Sequence, residues 1–290
     1  MGLLNRSRNV HLCEIDLSVN KSKSFLLISD VHFDSIKCDR SLLFKHLEQA
    51  RTCNADVFIF GDLFDLMQGR WDPRGNYSDL RPEYKSHIYV DDVIQDVGDK
   101  LSEYSDVIKF LGRGNHETNI EKRMMVSPLD RVAQIVNANG GQCAVGGYAG
   151  WIVMQAFAGY HKGKKSHSRR DLLHYHHGWG GNAKRSKGVL GIDIDQKDFP
   201  DADFIVRGHD HQKWYHPVMV DRMTRSMNIE QRTVHHMRLG SYKKLGDRYA
   251  GWATEKGFAT PRLGGWWLTV TAEKNRGRPS DYVWTVSEAI

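Results

Sequence analysis

The chain has 290 residues, of which 40% are hydrophobic and 26% charged, and a net charge of +6. That is the make-up of a globular protein with a sizeable core. No apolar run reaches the ~18 residues that a membrane-spanning helix needs. The four cysteines, Cys13, Cys38, Cys53 and Cys143, show no C-x-x-C spacing, which excludes the common zinc and redox motifs and is read as reduced thiols.

In chain order, Met1 to Ser24 is polar and mixed in charge and lacks the apolar core of a secretory signal, so a cytoplasmic location is expected. Ser24 to Ser29 (SFLLIS) is a short apolar run that predicts a buried strand ending at Asp30. The apolar spacing of Ser41 to Thr52 predicts a helix, and Asp56 to Phe60 (DVFIF) a second buried strand ending at Gly61-Asp62. Gln68 to Lys85 reads as a long loop. Asp91 to Tyr104 has helical spacing, and Asp106 to Leu111 predicts a third strand running into Gly112-Arg113-Gly114-Asn115-His116. Ser127-Pro128 supplies an N-cap and an N1 proline for another helix, with Gly140 at its end. Such alternation argues a parallel sheet with crossover helices, in which ligands gather beyond the C-terminal ends of the strands.

The second half reads differently. Trp151 to Tyr160, Asp171 to His177, Asp203 to Val206, Thr233 to Leu239, Trp266 to Thr271 and Tyr282 to Val286 predict strands with little helix between. A second, mixed or antiparallel sheet packed on the first is expected. With no repeat or linker, residues 1–290 read as one domain, with a core over 24–221 and 222–290 completing the second sheet.

Five short motifs carry the chemistry: Asp30-x-His32, Gly61-Asp62, Gly114-Asn115-His116-Glu117, His177-Gly178 and Gly208-His209-Asp210-His211. Each alone is no more than a turn acid or a loop histidine. Their order, and the predicted strands that lead into them, are what carry weight. Carboxylate, imidazole and amide oxygen together suit a borderline divalent metal such as manganese, iron or zinc, whereas a magnesium or calcium cage would be nearly all oxygen.

The set resembles the calcineurin-like metallophosphoesterase superfamily, whose signature is D-x-H, G-D, G-N-H-[DE], H-G and G-H-x-H. The resemblance implies an α/β fold, a four-layer αββα sandwich of two mixed β-sheets flanked by helices. It also implies a hydrolase with two divalent metal ions, manganese first among the candidates, then iron, zinc or nickel. Asp30, His32 and His211 would hold one ion, Asn115, His177 and His209 the other, and Asp62 would bridge both. His177 is preferred to His176 as the ligand because glycine follows it; His174 would share the side of His176 and is read as packing. Two cations would lower the pKa of a bridging water, whose hydroxide attacks phosphorus in line. His116 is similar to the family's catalytic histidine and would act as general acid. Asp65, three residues after Asp62, is read as the carboxylate that would hold the His116 imidazole in its protonated form, or as an ordinary loop carboxylate or helix cap; Glu117 is left as support.

The substrate is less legible. The G-D-x-x-D-R-G arginine of phosphoprotein phosphatases is absent, since this chain reads Gly61-Asp62-Leu63-Phe64-Asp65-Leu66-Met67. That form is similar to lipid-sugar pyrophosphatases and to repair nucleases. Between Tyr160 and Leu190 eight Lys or Arg (Lys162, Lys164, Lys165, Arg169, Arg170, Lys184, Arg185, Lys187) face one acid, Asp171, a net +7. This segment flanks His177, so its cations are expected near the metal centre, and Tyr160, Tyr175 and Trp179 are interleaved. Cations with aromatics suit DNA or RNA, so a phosphodiesterase acting on nucleic acid is expected, with Arg70, Arg113, Lys184 and Arg185 as substrate-binding candidates. The alternative is a phosphatase or pyrophosphatase of a nucleotide or lipid-linked small substrate. A non-catalytic scaffold would show missing ligands, and none is missing. The loop with Arg70, Trp71, Arg74 and Arg81 is the second specificity element. For the C-terminal segment, with Gly240-Ser241-Tyr242-Lys243-Lys244 and Gly264-Gly265-Trp266-Trp267, only packing or a place at the substrate edge is read, and no oligomeric state.

Overall fold

The computed structural model describes residues 3–290 except 8, 19, 67–74, 76, 180–188, 225, 245–261 and 276–277. The first sheet is built as the sequence predicts. Strands β3 (Ser22–Ile28), β4 (Asp56–Phe60) and β5 (Ile108–Gly112) run parallel, with a short β6 (Ala144–Val145) beside β5. Helices α1 (Arg40–Thr52), α2 (Tyr89–Ser102), α3 (Asn115–Met124) and α4 (Pro128–Ala138) cross between them. Their apolar stripes, for example Val93, Ile94, Val97 and Leu101 of α2, bury one face of the sheet. Asp39 caps α1 by accepting the Leu42 N–H at 3.1 Å.

The second sheet contains β1 (Leu3–Ser7), β2 (Val10–Asp16), β7 (Ala149–His161), β8 (Lys164–His176), β9 (Phe204–Arg207), β10 (Trp214–Met223) and β11 (Ile229–Arg238), in the order β1-β2-β7-β8-β9-β11-β10. The polar N-terminus is therefore two strands, with β2 parallel to β7 about 140 residues away. Its inward residues Cys13 and Ile15 join Phe25, Phe58, Phe60, Phe110 and Phe204 in the core between the sheets. Helix α5 (Ile192–Asp198) lies beyond the second sheet, whose outer face carries a small cluster of Ala202, Ile205 and Val234. The four layers are helices, sheet, sheet and helix.

The C-terminal segment corrects one expectation. β11 belongs to the second sheet, but β12 (Trp266–Asn275) and β13 (Arg278–Glu288) return to the first, where β12 pairs antiparallel with β3. Both faces of β3 are covered by other layers, and its free edge is closed by β12. Among the described residues no helix is long and apolar enough to cross a membrane.

Candidate metal centre

All five motifs lie just beyond strand ends, on the side where both sheets present their C-terminal edges. Asp30 and His32 follow β3, Asp62 follows β4, Asn115 and His116 open α3 after β5, His177 follows β8, and His209 and His211 follow β9. The seven expected ligands come together. Side-chain ligand atoms of Asp30, His32 and His211 lie within 4.8 Å of one another, as do those of Asp62, His177 and His209. Asn115 joins the second group, its Oδ1 2.8 Å from His209 Nδ1. His177 Nε2 lies 3.1 Å from Asp62 Oδ2 and 4.0 Å from Asp30 Oδ1, so the two groups are contiguous.

The backbone is strained to achieve this. Asp30, His32, Asp62, His209 and His211 all have φ between 50° and 76°, the left-handed region that non-glycine residues avoid. Such conformations cost on the order of 1–3 kcal/mol each and gather at functional sites. Gly61, at φ 94°, takes up the sharpest turn, and a Cβ there would meet the His177 ring and Gly114 Cα.

Neighbouring groups aim the ligands. His177 Nδ1–H donates to the Phe60 carbonyl at 2.9 Å, which leaves Nε2 as the buried ring atom turned to the Asp62 carboxylate. His32 Nδ1 lies 2.9 Å from Asp65 Oδ1, and its Nε2 faces His211 Nε2 at 3.2 Å. Imidazole nitrogens converging on buried carboxylates fit a shared cation, and the mixed nitrogen and oxygen set fits a borderline divalent metal. Burial opposes the charge on Asp30, but the His211 and His177 imidazoles overcome it and hold the carboxyl at about 2. For His177, burial lowers the pKa but Asp62 and Asp30 raise it to about 10.

His116 is buried next to this set, its Nε2 3.6 Å from Asp62 Oδ2. Its backbone N–H, at the N-terminus of α3, donates to Asp62 Oδ1 at 3.1 Å. Asp65 meets His116 in two ways. Its backbone carbonyl accepts from His116 Nδ1, and its carboxylate, within 4.8 Å of a His116 ring nitrogen, favours the protonated ring by charge rather than by a hydrogen bond. The carboxylate instead sits between His32 Nδ1 and Lys243 Nζ, the latter at 2.6 Å. The turn after Asp62 is held with Asp34, which accepts from Asp65 N and Leu66 N, so the Asp65 side chain is directed towards β3. Glu117 is wholly buried and accepts from the N–H groups of Asp62, Phe64 and Gly114 at 3.1, 3.1 and 2.8 Å. It thereby ties the second and third motifs together. Burial and the Asp62 charge raise its pKa to about 7.

Three residues that sequence reasoning missed come from the C-terminal segment. Ser241 Oγ and Tyr242 N both donate to the Asp30 carbonyl, at 2.8 and 3.0 Å, and Lys243 holds Asp65. They lie some 200 residues beyond their partners, and no spacing connects them.

The substrate-binding candidates fare differently. Arg70, Lys184 and Arg185 lie outside the described residues, as do Trp71, Arg74 and Lys187. Arg113 is turned inward, with Glu121 and Asp130 at 2.7 Å and the Gly146 carbonyl at 2.7 Å, so its donors brace the loop. Arg81 likewise donates to the Ser35 and Cys38 carbonyls. The cations before His177 are not beside the metal centre. β7 and β8 form a long hairpin, and Lys162 to Lys165 occupy its tip, roughly 40 Å along β8 from His176. Lys165 pairs with Glu14, and Arg169 with Asp171 at 2.9 Å. Tyr175 is buried against Phe60 and Phe110, and Tyr160 sits near the tip. Trp179, two residues beyond His177, is exposed and packs against His176 and the Arg207 guanidinium. His176 Nδ1 accepts from Gly178 N at 2.8 Å, and His174 stacks on Phe199 at 3.6 Å, both away from the ligand set.

The calcineurin-like phosphoesterase family matches residues 23–213. No curated protein matches the sequence significantly. Among solved structures, Vps29 of Chaetomium thermophilum aligns over 91% of this chain and 95% of its own, at 10% identity and a TM-score of 0.36. A conserved uncharacterised protein and predicted phosphoesterase of Streptococcus pneumoniae aligns over 92% and 90%, at 11% identity and 0.31. Vps29 of Entamoeba histolytica, in a zinc complex, aligns over 92% and 99%, at 9% identity and 0.31. The family match spans two thirds of the chain and contains all five motifs, so the chain belongs to the calcineurin-like phosphoesterase family.

Proposed function

We propose that the chain is a dinuclear metal-dependent phosphodiesterase acting on nucleic acid, with His116 as its general acid. The observation that carries this reading is the convergence of seven ligand side chains beside an imidazole whose Nδ1 is committed to a carbonyl. Asp30, His32 and His211 would hold one divalent ion, Asn115, His177 and His209 the other, with Asp62 shared; manganese is the first candidate. Two such cations supply charge that offsets a phosphoester's negative oxygens and lowers the pKa of water at the site.

The protein's own contribution is proton transfer and orientation. A carbonyl only accepts, so His116 Nδ1 keeps its hydrogen and Nε2 is the atom that gains or gives a proton. Asp62 Oδ2, 3.6 Å away, favours the protonated ring. As the ester P–O bond breaks, Nε2–H donates to the leaving oxygen, a contribution of ~10²–10⁴-fold in rate. Glu117 and the α3 N-terminus keep His116 and Asp62 in fixed relation, so little reorganisation accompanies the transfer.

Nucleic acid is supported by Lys184, Arg185 and Lys187, the cations that follow His177 in sequence, and by the exposed Trp179 two residues beyond it. A nucleotide, pyrophosphate or lipid-linked small substrate is the second reading, favoured by the distance of the hairpin cations from the ligands. The test is a manganese-loaded assay on a chromogenic monoester, a chromogenic diester and single-stranded DNA in parallel. Hydrolysis of the diester and the DNA is expected. Strong preference for the monoester would overturn the phosphodiesterase reading. Diester hydrolysis without DNA hydrolysis at low salt would favour the small-substrate reading.

A further inference from the structure

Trp179 combines exposure and rigidity in an unusual way. It lies two residues beyond the ligand His177, and 64% of it is exposed, although it is a large aromatic residue. The backbone that carries it is pressed against the metal centre. Gly178, at φ 123°, packs so closely that a Cβ there would lie 2.7 Å from His209 Cβ. Its carbonyl accepts from Tyr148 Oη at 2.7 Å, and its N–H donates to His176. The indole is thus carried by a fixed backbone, one residue from the contact with His209.

The ring is also backed from beneath. The guanidinium of Arg207 lies 4.5 Å from the ring centroid, and the His176 imidazole meets the ring edge-on at 4.9 Å. Arg207 is itself 2% exposed and gripped by both carboxylate oxygens of Asp195. A cation under an indole face holds the ring flat without covering the rest of it. Apolar burial does not explain the arrangement, because most of the ring surface stays in water.

We infer that Trp179 is a stacking platform for a nucleobase next to the scissile phosphate, making it a specificity residue for base-bearing diesters. The inference rests on the phosphodiesterase reading above and adds the group recognised. Every base has a π-face, so a platform of this kind binds without strong sequence preference. Removing one stacked base in this way weakens binding roughly 5- to 100-fold. Because stacking holds the ground state and the transition state alike, the change belongs in KM.

Two diesters with the same leaving group separate the possibilities, thymidine 5′-(4-nitrophenyl phosphate) and methyl 4-nitrophenyl phosphate. Trp179→Ala is expected to raise KM for the thymidine ester roughly 5- to 100-fold with kcat nearly unchanged. The methyl ester should be affected less than about two-fold, and Trp179→Phe should retain most of the affinity. Equal effects on both esters, or none on either, would overturn the inference. Equilibrium binding of an oligothymidylate at low salt, compared between wild type and Trp179→Ala, reads stacking without turnover. Unchanged binding there would overturn the platform even if both esters are cleaved. If neither ester is cleaved by wild type, the phosphodiesterase reading fails, while weakened oligothymidylate binding by Trp179→Ala would still support the stacking. Trp179→Phe also guards against a folding artefact, since it keeps a ring over Arg207.

Discussion

The two sheets bring ligands to one place but hold them differently. Three of those from the first sheet, Asp30, His32 and Asp62, sit in tight turns and are at most 2% exposed, while Asn115 at the start of α3 is half-buried. Their geometry is fixed by backbone and buried partners, including the Gly61 and Asp62 carbonyls, Glu117 and Ser241. From the second sheet, His177 is fully buried, while His209 is half-buried and the His211 side chain is 24% exposed. The proposed acid His116 and the proposed bridging Asp62 belong to the first sheet, and the more open His211 and Trp179 to loops of the second. Changes at His116 should therefore act on turnover, and changes at Trp179 on recognition of the substrate.

The sharpest break in that comparison comes from His116. His116→Ala should retain metal and lose ~10²–10⁴-fold in kcat on an ester with a poor leaving group, with a much smaller loss on 4-nitrophenyl esters. Full activity on the poor leaving group would remove His116 as the acid. A smaller effect is expected from Lys243→Met. It frees Asp65 from its cation and loosens the hold on His32, so metal affinity should fall about 10- to 100-fold in a chelator competition, and Lys243→Arg should restore most of it. An unchanged affinity would mean that Asp65 orients His32 unaided.

The smallest effect sits on the outer face of the second sheet. Burial, followed by the nearby Arg207 charge, lowers the His174 pKa from 6.5 to about 3. The unfolded chain then binds a proton near pH 6.5 that the folded chain refuses, so stability is full above pH 6.5 and declines as pH falls towards 3. Its share is at most about 1.4 kcal/mol per pH unit. Urea unfolding of wild type and His174→Phe at pH 6.5 and 5 should show a shallower acid loss in the variant. Equal losses would mean that His174 does not resist protonation.

Much of this was readable from residues alone. Strands β3, β4 and β5 are short apolar runs bounded by chemistry-bearing turns, and their order carried the family and picked out side chains that the fold brings together. What escaped reading depended on distance along the chain. The β2 strand is polar enough to pass for a tail because it pairs with β7 far downstream. The sheet membership of β12 is set by its contact with β3 across some 240 residues. The length of the β7–β8 hairpin, invisible in composition, carried the first half of the basic segment away from the site. Asp65 shows a finer limit, since spacing brought it to His116 but could not distinguish its carbonyl from its carboxylate.

The central claim is that the five motifs form one two-ion centre bridged by Asp62. Its most direct test is metal content per chain, measured by elemental mass spectrometry on protein reconstituted with manganese and freed of excess metal. Two ions per chain are predicted for wild type and for His116→Ala, and fewer than one for Asp62→Asn. A wild-type chain without stoichiometric metal, or an Asp62→Asn variant that keeps both ions, would contradict the account.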